Sequence, residues 1–371
     1  MSFIIDGTLG ATFNDGSLQA AAASPYVLKN RIINGAMVID QRNAGASTTP
    51  AASGPAYLLD RWLYYNVQVS KLTYQQNYGS VTPPAGFSNY FGVYVASAYT
   101  PTGTDEFDII QRIEGFNTAD LDFGKSTAKT ITLSFWVRSS LTGTFGGSIV
   151  NGAGNRSYPF SYTINSTNTW EQKTVTIVGD TTGTWIGATN GIGMQLVFSM
   201  GAGSSSLGTA GAWTGSGVSG PTGQTNIVAN AAATWYVTGV QLEQNTSATP
   251  FERRLYNQEL ANCQRYFNTS YFGSGSAVGT ATTTNQVAWI AQSTGNYNGI
   301  ALTLPVQMRV APAITTYSGL NGASGNMNAL TVTISASALT ASTTSFNVFA
   351  NNVSTTYSSN LYFHYTASSE L

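Results

Sequence analysis

Residues 131–137, with the sequence Ile-Thr-Leu-Ser-Phe-Trp-Val, carry an apolar side chain at every second position. Alternate side chains of a β-strand point to the same face of a sheet, so the Ile, Leu, Phe and Val of this run would face one core. The same period recurs at 175–177, 194–198 and 236–242. Clusters of Gly, Ser, Thr and Asn bound each run, which is typical of an antiparallel β-sandwich. The sequence therefore predicts a mainly β fold.

The spacing of such runs divides the 371-residue chain into four parts. Residues 29–253 contain enough runs for a two-sheet jelly-roll sandwich. Residues 254–267 are predicted to form a linking helix, and residues 268–371, with shorter alternating runs, a second small β-domain at the C-terminus. Residues 1–28 are too short for a core of their own. We expect them to form either an extended arm that docks on another protein or a hairpin that turns at Asp15-Gly16.

The charge content excludes several classes of protein. Charged residues make up 8% of the chain and its formal net charge is −1, whereas ordinary globular domains carry about 25% charged residues. Without a basic cluster, nucleic acid is not an expected partner, because such binding rests on neutralising phosphates. Cys263 and His364 are the only residues of their types, which excludes an intrachain disulfide and a multi-histidine metal site. No apolar run is long enough to span a bilayer, so we expect no membrane insertion.

Two long segments carry few or no charges. Residues 268–371 contain Arg309 and Glu370 as their only charged side chains, so little electrostatic repulsion opposes association with further copies of the chain. Residues 199–226 are rich in Gly and Ser, with Trp213 as their only aromatic residue. We expect this second segment to be a long loop that is either functional or disordered.

The linking helix carries an apolar stripe. Tyr256, Leu260, Cys263 and Phe267 follow one another at spacings of four, three and four residues, which places them on one helical face. This stripe is predicted to pack on a neighbouring domain or on other copies of the chain around a symmetry axis. Cys263 fits there as a small buried hydrophobic residue.

Six of the sixteen acidic residues fall between positions 105 and 122. Asp105, Glu106 and Asp108 are weak candidates for a structural calcium site, because calcium takes several oxygen ligands from one or two loops. A pair of carboxylates from this cluster would also suit a glycosidase. The third interpretation is a solvated loop that is partly paired with Arg112. We expect no cofactor and no catalytic residue, with structural calcium as the alternative.

Aromatic residues close to polar loops are the candidates for ligand binding. Trp213, Trp185 and Tyr158 lie near stretches rich in Asn, Ser and Thr. Aromatic faces stack on the apolar faces of sugar rings, while amides and hydroxyl groups bind the sugar hydroxyls. The alternative for each ring is a place in the core. Trp213 is predicted to be the best exposed of the three.

Several motifs resemble a domain that is common in phage and prophage tail-fibre proteins. They begin with Arg-Ile-Ile-Asn-Gly-Ala-Met-Val-Ile-Asp-Gln-Arg-Asn-Ala-Gly, and their order and spacing cover about residues 31–267. The matching stretches are 31–45, 60–62, 133–139, 170–173, 238–243, 248–254 and 259–267.

This resemblance implies a sandwich similar to carbohydrate-binding modules, assembled as a homotrimer in the virion tail. It also implies that residues 1–28 attach to tail or baseplate proteins, with Phe3, Ile4 and Ile5 as the apolar contact. The predicted function is a tail fibre protein, not an enzyme, that attaches the phage to a host glycan or receptor through many weak sites. The alternatives are a structural tail or baseplate component without receptor binding and a polysaccharide depolymerase.

Overall fold

The computed structural model describes residues 4–6, 10–12, 18–19, 29–186, 189–290, 298–329, 331–350 and 360–371. Within these ranges the fold is mainly β and contains one α-helix, as the sequence predicts. Short 3₁₀ turns lie at Tyr78–Ser80, Gly115–Asn117, Ala119–Leu121, Ser204–Ser206 and Ile227–Ala229.

Three short strands precede the sandwich and pair with one another in the order β1-β2-β3. They are β1 Ile4–Asp6, β2 Gly10–Thr12 and β3 Leu18–Gln19. Thr12 pairs antiparallel with Leu18, so the chain reverses direction between β2 and β3. Ile4 and Ile5 belong to β1, whereas Phe3 and the Asp15-Gly16 pair lie outside the described residues.

The strands of the sandwich follow in chain order. They are β4 Gly54–Leu59, β5 Trp62–Asn66, β6 Leu72–Gln76, β7 Phe91–Val95, β8 Glu106–Glu114, β9 Ile131–Ser139, β10 Gly143–Asn151, β11 Ser157–Ile164, β12 Glu171–Ile177, β13 Ile192–Ala202, β14 Leu207–Gly208, β15 Gly220–Pro221 and β16 Thr234–Glu243.

Two antiparallel sheets form the sandwich. One has the strand order β11-β10-β13-β8-β5-β4 and the other the order β12-β9-β16-β7-β6. The alternating run at 131–137 lies in β9, and its side chains Ile131, Leu133, Phe135 and Val137 are fully buried. They pack between the sheets in a single core with residues of the opposite sheet such as Phe198. The two-residue period therefore predicted both the strand and its buried face.

The segment predicted as a long loop at 199–226 is ordered instead. Strand β13 continues to Ala202, and β14 and β15 pair in parallel further on. Gly146 has no side chain, and a Cβ atom there would come within 2.2 Å of Pro221. The missing side chain therefore lets β15 lie directly on the six-stranded sheet.

The helix α1 spans Tyr256–Gln264 and ends earlier than predicted. Phe267 begins the strand β17, where it pairs with Ser368, so it does not continue the helical stripe. Cys263 and Phe267 are buried within the chain, and the Arg42 guanidinium lies 3.6 Å from the centre of the Phe267 ring. These two residues are therefore unavailable to another copy, which corrects the predicted trimer-packing stripe. Tyr256 remains exposed and Leu260 half-buried.

The C-terminal strands form one further sheet. They are β17 Phe267–Thr269, β18 Val287–Ile290, β19 Asn298–Thr303, β20 Ala313–Tyr317, β21 Asn326–Ala329, β22 Val332–Ala341, β23 Ser345–Ala350 and β24 Asn360–Ser368. The sheet order is β17-β24-β21-β22-β23-β19, and β18 and β20 also pair with β24. Its own core includes Met308, Phe346 and Phe363.

The only two charged side chains of this C-terminal region hold it against the sandwich. Glu370 accepts hydrogen bonds from Arg42, at 2.6 Å, and from Arg61. Arg309 donates to the backbone oxygens of Asn190 at 2.6 Å, Ser369 at 2.7 Å and Glu370 at 2.9 Å. Both charged side chains of this region are therefore engaged in contacts within the protein.

Candidate functional site

The structure brings the three predicted glycan-binding aromatics together. Trp213 lies with its ring centroid 5.0 Å from that of Tyr158 and 5.2 Å from that of Trp185. Phe123 completes the group, at 4.8 Å from Trp185 and 5.7 Å from Trp213. Edge-to-face packing of this kind stabilises aromatic pairs by more than the burial of their surface area alone. We call these four residues the aromatic cluster.

The two tryptophan rings of the cluster differ in burial. Trp185 is only 3% exposed, and its indole nitrogen donates to Asp180 at 3.1 Å. Trp213 is half-buried, because its loop folds back over the sheet edge and its indole nitrogen donates to the Val178 backbone oxygen at 2.8 Å. Each ring has the partner that a buried indole requires. Trp185 therefore belongs to the core, whereas Trp213 and Phe123 are both half-buried, so that part of each side chain stays accessible.

A pocket of about 330 Å³ opens beside the aromatic cluster. One part of its wall is apolar and the other polar. The lining includes Thr118, Asp122, Phe123, Lys125, Trp185 and Met194. We call it the Phe123 pocket.

The turn that carries Asp122 and Phe123 has a fixed backbone. Asp122 has a φ of 56°, in the left-handed region that Asp and Asn tolerate best among residues with side chains. Gly124 has a φ of 87°, and a Cβ atom there would come within 2.6 Å of the Gly183 backbone oxygen. The Gly124 amide also donates to the Asp180 backbone oxygen at 2.8 Å. The turn is therefore held closely against the opposite wall of the pocket.

The polar part of the pocket is an ion pair between Asp122 and Lys125, which has no net charge. Lys125 donates to Asp122 at 2.8 Å, and the Thr127 hydroxyl donates to the same carboxylate at 3.2 Å. The hydrogen bond from Lys125 lowers the pKa of Asp122, so this carboxylate is charged at neutral pH. The pocket thus combines an aromatic ring with a strong acceptor and a strong donor that cancel in charge. This combination suits a neutral ligand that is rich in hydroxyl groups.

The three calcium candidates do not come together as one ligand set. Asp105 accepts hydrogen bonds from Tyr99 at 2.8 Å and from the Thr102 amide at 2.9 Å. Glu106 and Asp108 lie on one face of β8 and line a groove of about 260 Å³. Over the ranges that the structure covers, no group of three or more His, Cys, Asp or Glu side chains could hold a metal ion.

The remaining acids of the 105–122 cluster pair with residues other than Arg112. Glu114 is buried and accepts hydrogen bonds from Arg265 and Tyr266, both at 2.6 Å. Burial raises the pKa of Glu114. The hydrogen bonds from Arg265 and Tyr266 lower it by more than burial raises it, so that the pKa lies below its usual value. The Arg112 guanidinium instead contacts Gln195 and the Leu371 backbone oxygen. The predicted pairing of the cluster with Arg112 was therefore wrong.

His364 has a structural environment. Its ring stacks on Tyr271, with centroids 4.1 Å apart, and its two nitrogens lie 3.0 Å from the Ser270 hydroxyl and the Thr282 backbone oxygen. Burial lowers its pKa. The side chain is fully buried, and it is not among the residues that line the Phe123 pocket.

Phe123 is a residue of the site that the sequence did not indicate. Its neighbours Asp120 and Asp122 belong to the acidic cluster at 105–122, for which a catalytic carboxylate pair and a solvated loop are the interpretations. The signal was the alternation of acidic, aromatic and basic residues in Asp122-Phe123-Gly124-Lys125. That signal becomes specific only when Trp185 and Met194 are known to lie opposite.

No protein-family model matches this chain, and no curated protein matches it. Solved structures with a similar fold include the enzymatically active domain of tailspike protein 4 from bacteriophage CBA120, at 17% identity and a TM-score of 0.31. That match covers 60% of this chain and 22% of the tailspike chain, so this chain spans about a fifth of the tailspike's length.

Two carbohydrate-binding modules are also similar. A CBM4 structure has 18% identity and a TM-score of 0.28, over 57% of this chain and 98% of the module. A family 11 module from Clostridium thermocellum, in complex with a β-1,3-1,4-mixed-linked tetrasaccharide, has 13% identity and a TM-score of 0.25, over 53% of this chain and all of the module (100%). Because these TM-scores are low, we base no functional argument on the similarities.

The single α-helix found in the described ranges does not have the length and apolar character of a membrane span.

Proposed function

We propose that this chain is a virion tail fibre protein that attaches a phage to its host by binding a surface glycan in the Phe123 pocket. The observation that carries the proposal is the pocket itself, in which Phe123 lies beside the ion pair of Asp122 and Lys125. The resemblance of residues 31–267 to tail-fibre domains supports the role on the virion. Weak sites repeated in a trimer, and in several fibres, would together give a high avidity.

The chemistry of the pocket favours a saccharide over a charged ligand. An aromatic ring packs against the C–H face of a sugar, and the carboxylate of Asp122 accepts hydrogen bonds from sugar hydroxyls. Hydrogen bonds to a charged group are stronger than those between neutral groups. The ammonium group of Lys125 compensates the carboxylate charge, so an anionic ligand gains no net attraction.

Asp122→Asn tests the proposal with a minimal change. Asn tolerates the left-handed backbone at this position, so we expect the fold to be kept. The full-length protein and this variant would be applied to an array of bacterial surface polysaccharides and of neutral β-glucan, xylan, mannan and galactan fragments. We expect the wild-type protein to bind at least one of these glycans, and the variant to bind it about tenfold more weakly.

The matched control is Asp105→Asn, which changes the same chemical group outside the Phe123 pocket. We expect it to bind like the wild type. If no glycan on the array bound the wild-type protein, or if both variants bound equally, the proposed glycan site would be wrong.

The role in attachment has its own test. We expect purified protein to compete with phage particles for host cells and to reduce their adsorption, and light scattering to give the mass of a trimer. If the trimer bound no host cells and left adsorption unchanged, a structural tail or baseplate component without receptor binding would be the better assignment.

A polysaccharide depolymerase is the second candidate, because one groove contains two neighbouring carboxylates. Glu106 and Asp108 line that groove, and burial, followed by the charge of Glu106, raises the pKa of Asp108 well above its usual value. Two neighbouring carboxyl groups in different environments are the arrangement of a glycosidase. However, Asp108 is itself buried and accepts a hydrogen bond from Ser219 at 2.8 Å. Shortened polysaccharide chains after incubation with wild type, and intact chains with Glu106→Gln, would favour this candidate.

A further inference from the structure

A second pocket lies at the same turn-rich segment as the Phe123 pocket. Its volume is about 210 Å³, and its lining includes Arg31, Phe116, Asn117, Arg254 and Asn262. We call it the Phe116 pocket. Asn117 lines this pocket and the next residue, Thr118, lines the Phe123 pocket. Since consecutive Cα atoms are about 3.8 Å apart, the two pockets share a wall.

Phe116 is an exposed aromatic ring on a rigid support. Its side chain is 60% exposed. Its backbone amide donates to the Thr189 backbone oxygen at 2.6 Å, and the amide of Gly115 donates to the Gly191 backbone oxygen at 2.9 Å. An exposed ring on such a fixed turn presents its face to a ligand without a large loss of conformational freedom on binding.

The charged groups around the Phe116 pocket already have partners. Arg31 donates to Asp120 at 2.6 Å and to the Asn117 backbone oxygen at 3.2 Å. Arg254 donates to Glu252 at 3.1 Å and to Glu259 at 3.2 Å. The guanidinium groups therefore shape the wall of the pocket and supply no excess positive charge for an anion.

The polar groups that remain for a ligand are neutral. Asn117 and Asn262 line the pocket together with Phe116, and the Asn262 amide oxygen accepts a hydrogen bond from Gln258 at 3.2 Å. Amides both donate and accept hydrogen bonds, as sugar hydroxyls do. The Phe116 pocket thus resembles the Phe123 pocket in having an aromatic ring beside hydrogen-bonding groups that together carry no net charge.

We propose that the Phe116 pocket is a second subsite for the same glycan, so that the ligand is a neutral oligosaccharide or polysaccharide chain and not a single terminal sugar. This inference rests on the proposed glycan-binding function. One chain that occupies both pockets binds the second as an intramolecular event, which raises the affinity for longer ligands.

The test measures affinity against ligand length. The probes are β-glucan, xylan, mannan and galactan fragments of two to about eight units, titrated into the full-length protein by calorimetry. We expect the affinity of wild type for its preferred fragment series to rise about tenfold or more from the shortest to the longer fragments and then to level off.

Phe116→Ala separates the two subsites. We expect this variant to lose the gain with length, so that it binds long fragments about tenfold more weakly and disaccharides within about twofold of wild type. Asp122→Asn is expected to weaken the binding of every length. The matched control is Val69→Ala, which shortens an apolar side chain that is 40% exposed and lines neither pocket.

The outcomes distinguish the two proposals. If Phe116→Ala bound long fragments as wild type does, while Asp122→Asn did not, the second subsite would be wrong and the proposed function would stand. If no fragment series bound the wild-type protein, the proposed function would be wrong and the second subsite with it.

Discussion

Arg42 donates a hydrogen bond to Glu370 at 2.6 Å, although 328 residues separate them in the sequence. Arg61 donates to the other oxygen of the same carboxylate. Glu370 therefore ties the C-terminal sheet to the opening segment of the sandwich. Because Arg61 is only 1% exposed and the Glu370 side chain only 8% exposed, this contact is a buried ion pair.

We expect Glu370→Gln to lower the free energy of unfolding by about 3–5 kcal/mol, because it leaves the buried guanidinium of Arg61 without a counter-charge. Denaturation by urea, followed by far-UV circular dichroism, measures this change. Lys125→Ala is the control, since it breaks an ion pair in which the Lys125 side chain is 67% exposed. Such pairs contribute about 0–1 kcal/mol. Equal losses in the two variants would show that Glu370 does not act as a buried partner.

Stability should fall as the pH rises towards neutrality, because of Asp60. Burial raises the pKa of Asp60 to about 7, against the lowering effects of Arg42 and of the hydrogen bonds from Gln41. A folded-state pKa above the unfolded value means that the folded protein binds the proton more tightly. The stabilisation from this group is therefore complete below about pH 4 and is lost as the pH rises to about 7.

We expect Asp60→Asn to remove this part of the pH dependence. Urea unfolding at about pH 4.5, 6 and 7.5 would show a smaller decline in the free energy of unfolding for the variant than for wild type, by an amount on the order of 2–3 kcal/mol. Comparing the two proteins at each pH cancels the contribution of the other titrating groups. If the free energy of unfolding declined equally with pH in the variant and in wild type, the role of Asp60 would be contradicted.

Replacing a buried aromatic residue should lower stability much more than replacing an exposed one. We expect Trp185→Ala to cost about 3–5 kcal/mol of stability, because it removes a buried ring from the aromatic cluster. Phe116→Ala should stay within about 0.5 kcal/mol of wild type, because that ring is exposed. Calorimetry of thermal unfolding measures the loss of stability in both variants. A large loss with Phe116→Ala would mean that its ring packs in the fold and is not free for a ligand.

Glycan binding should depend little on salt. Asp122 and Lys125 compensate each other in the Phe123 pocket, so no net charge attracts the ligand. We expect the affinity for the array-positive glycan to change by less than about twofold between about 50 mM and about 500 mM NaCl, since screening acts on net charge interactions. A decrease of more than about tenfold would point to an anionic ligand.

The sequence predicted the sandwich well because each strand carries its own signal. The run at 131–137 needs no distant partner to show which face is buried. Phe267 shows where this reasoning fails, since it fits a helical stripe but pairs as a strand with Ser368. Local periodicity could not reveal that distant pairing, nor the stacking of Arg42 on the Phe267 ring.

The candidate site was predicted only in part, for the same reason. Trp185, Trp213 and Tyr158 were identified as aromatic residues near polar loops, and they do lie together. Phe123, which belongs to a distant segment, packs edge to face on Trp185 and Trp213. The pocket is assembled from three separate segments of the chain, so no single stretch of sequence carries its pattern.

A crystal structure of the full-length protein with an array-positive oligosaccharide tests the central claim most directly. We expect a sugar ring against Phe123, with its hydroxyl groups within hydrogen-bond distance of Asp122 and Lys125. A bound sugar on another surface, with the Phe123 pocket empty, would contradict this account of how the protein binds glycan.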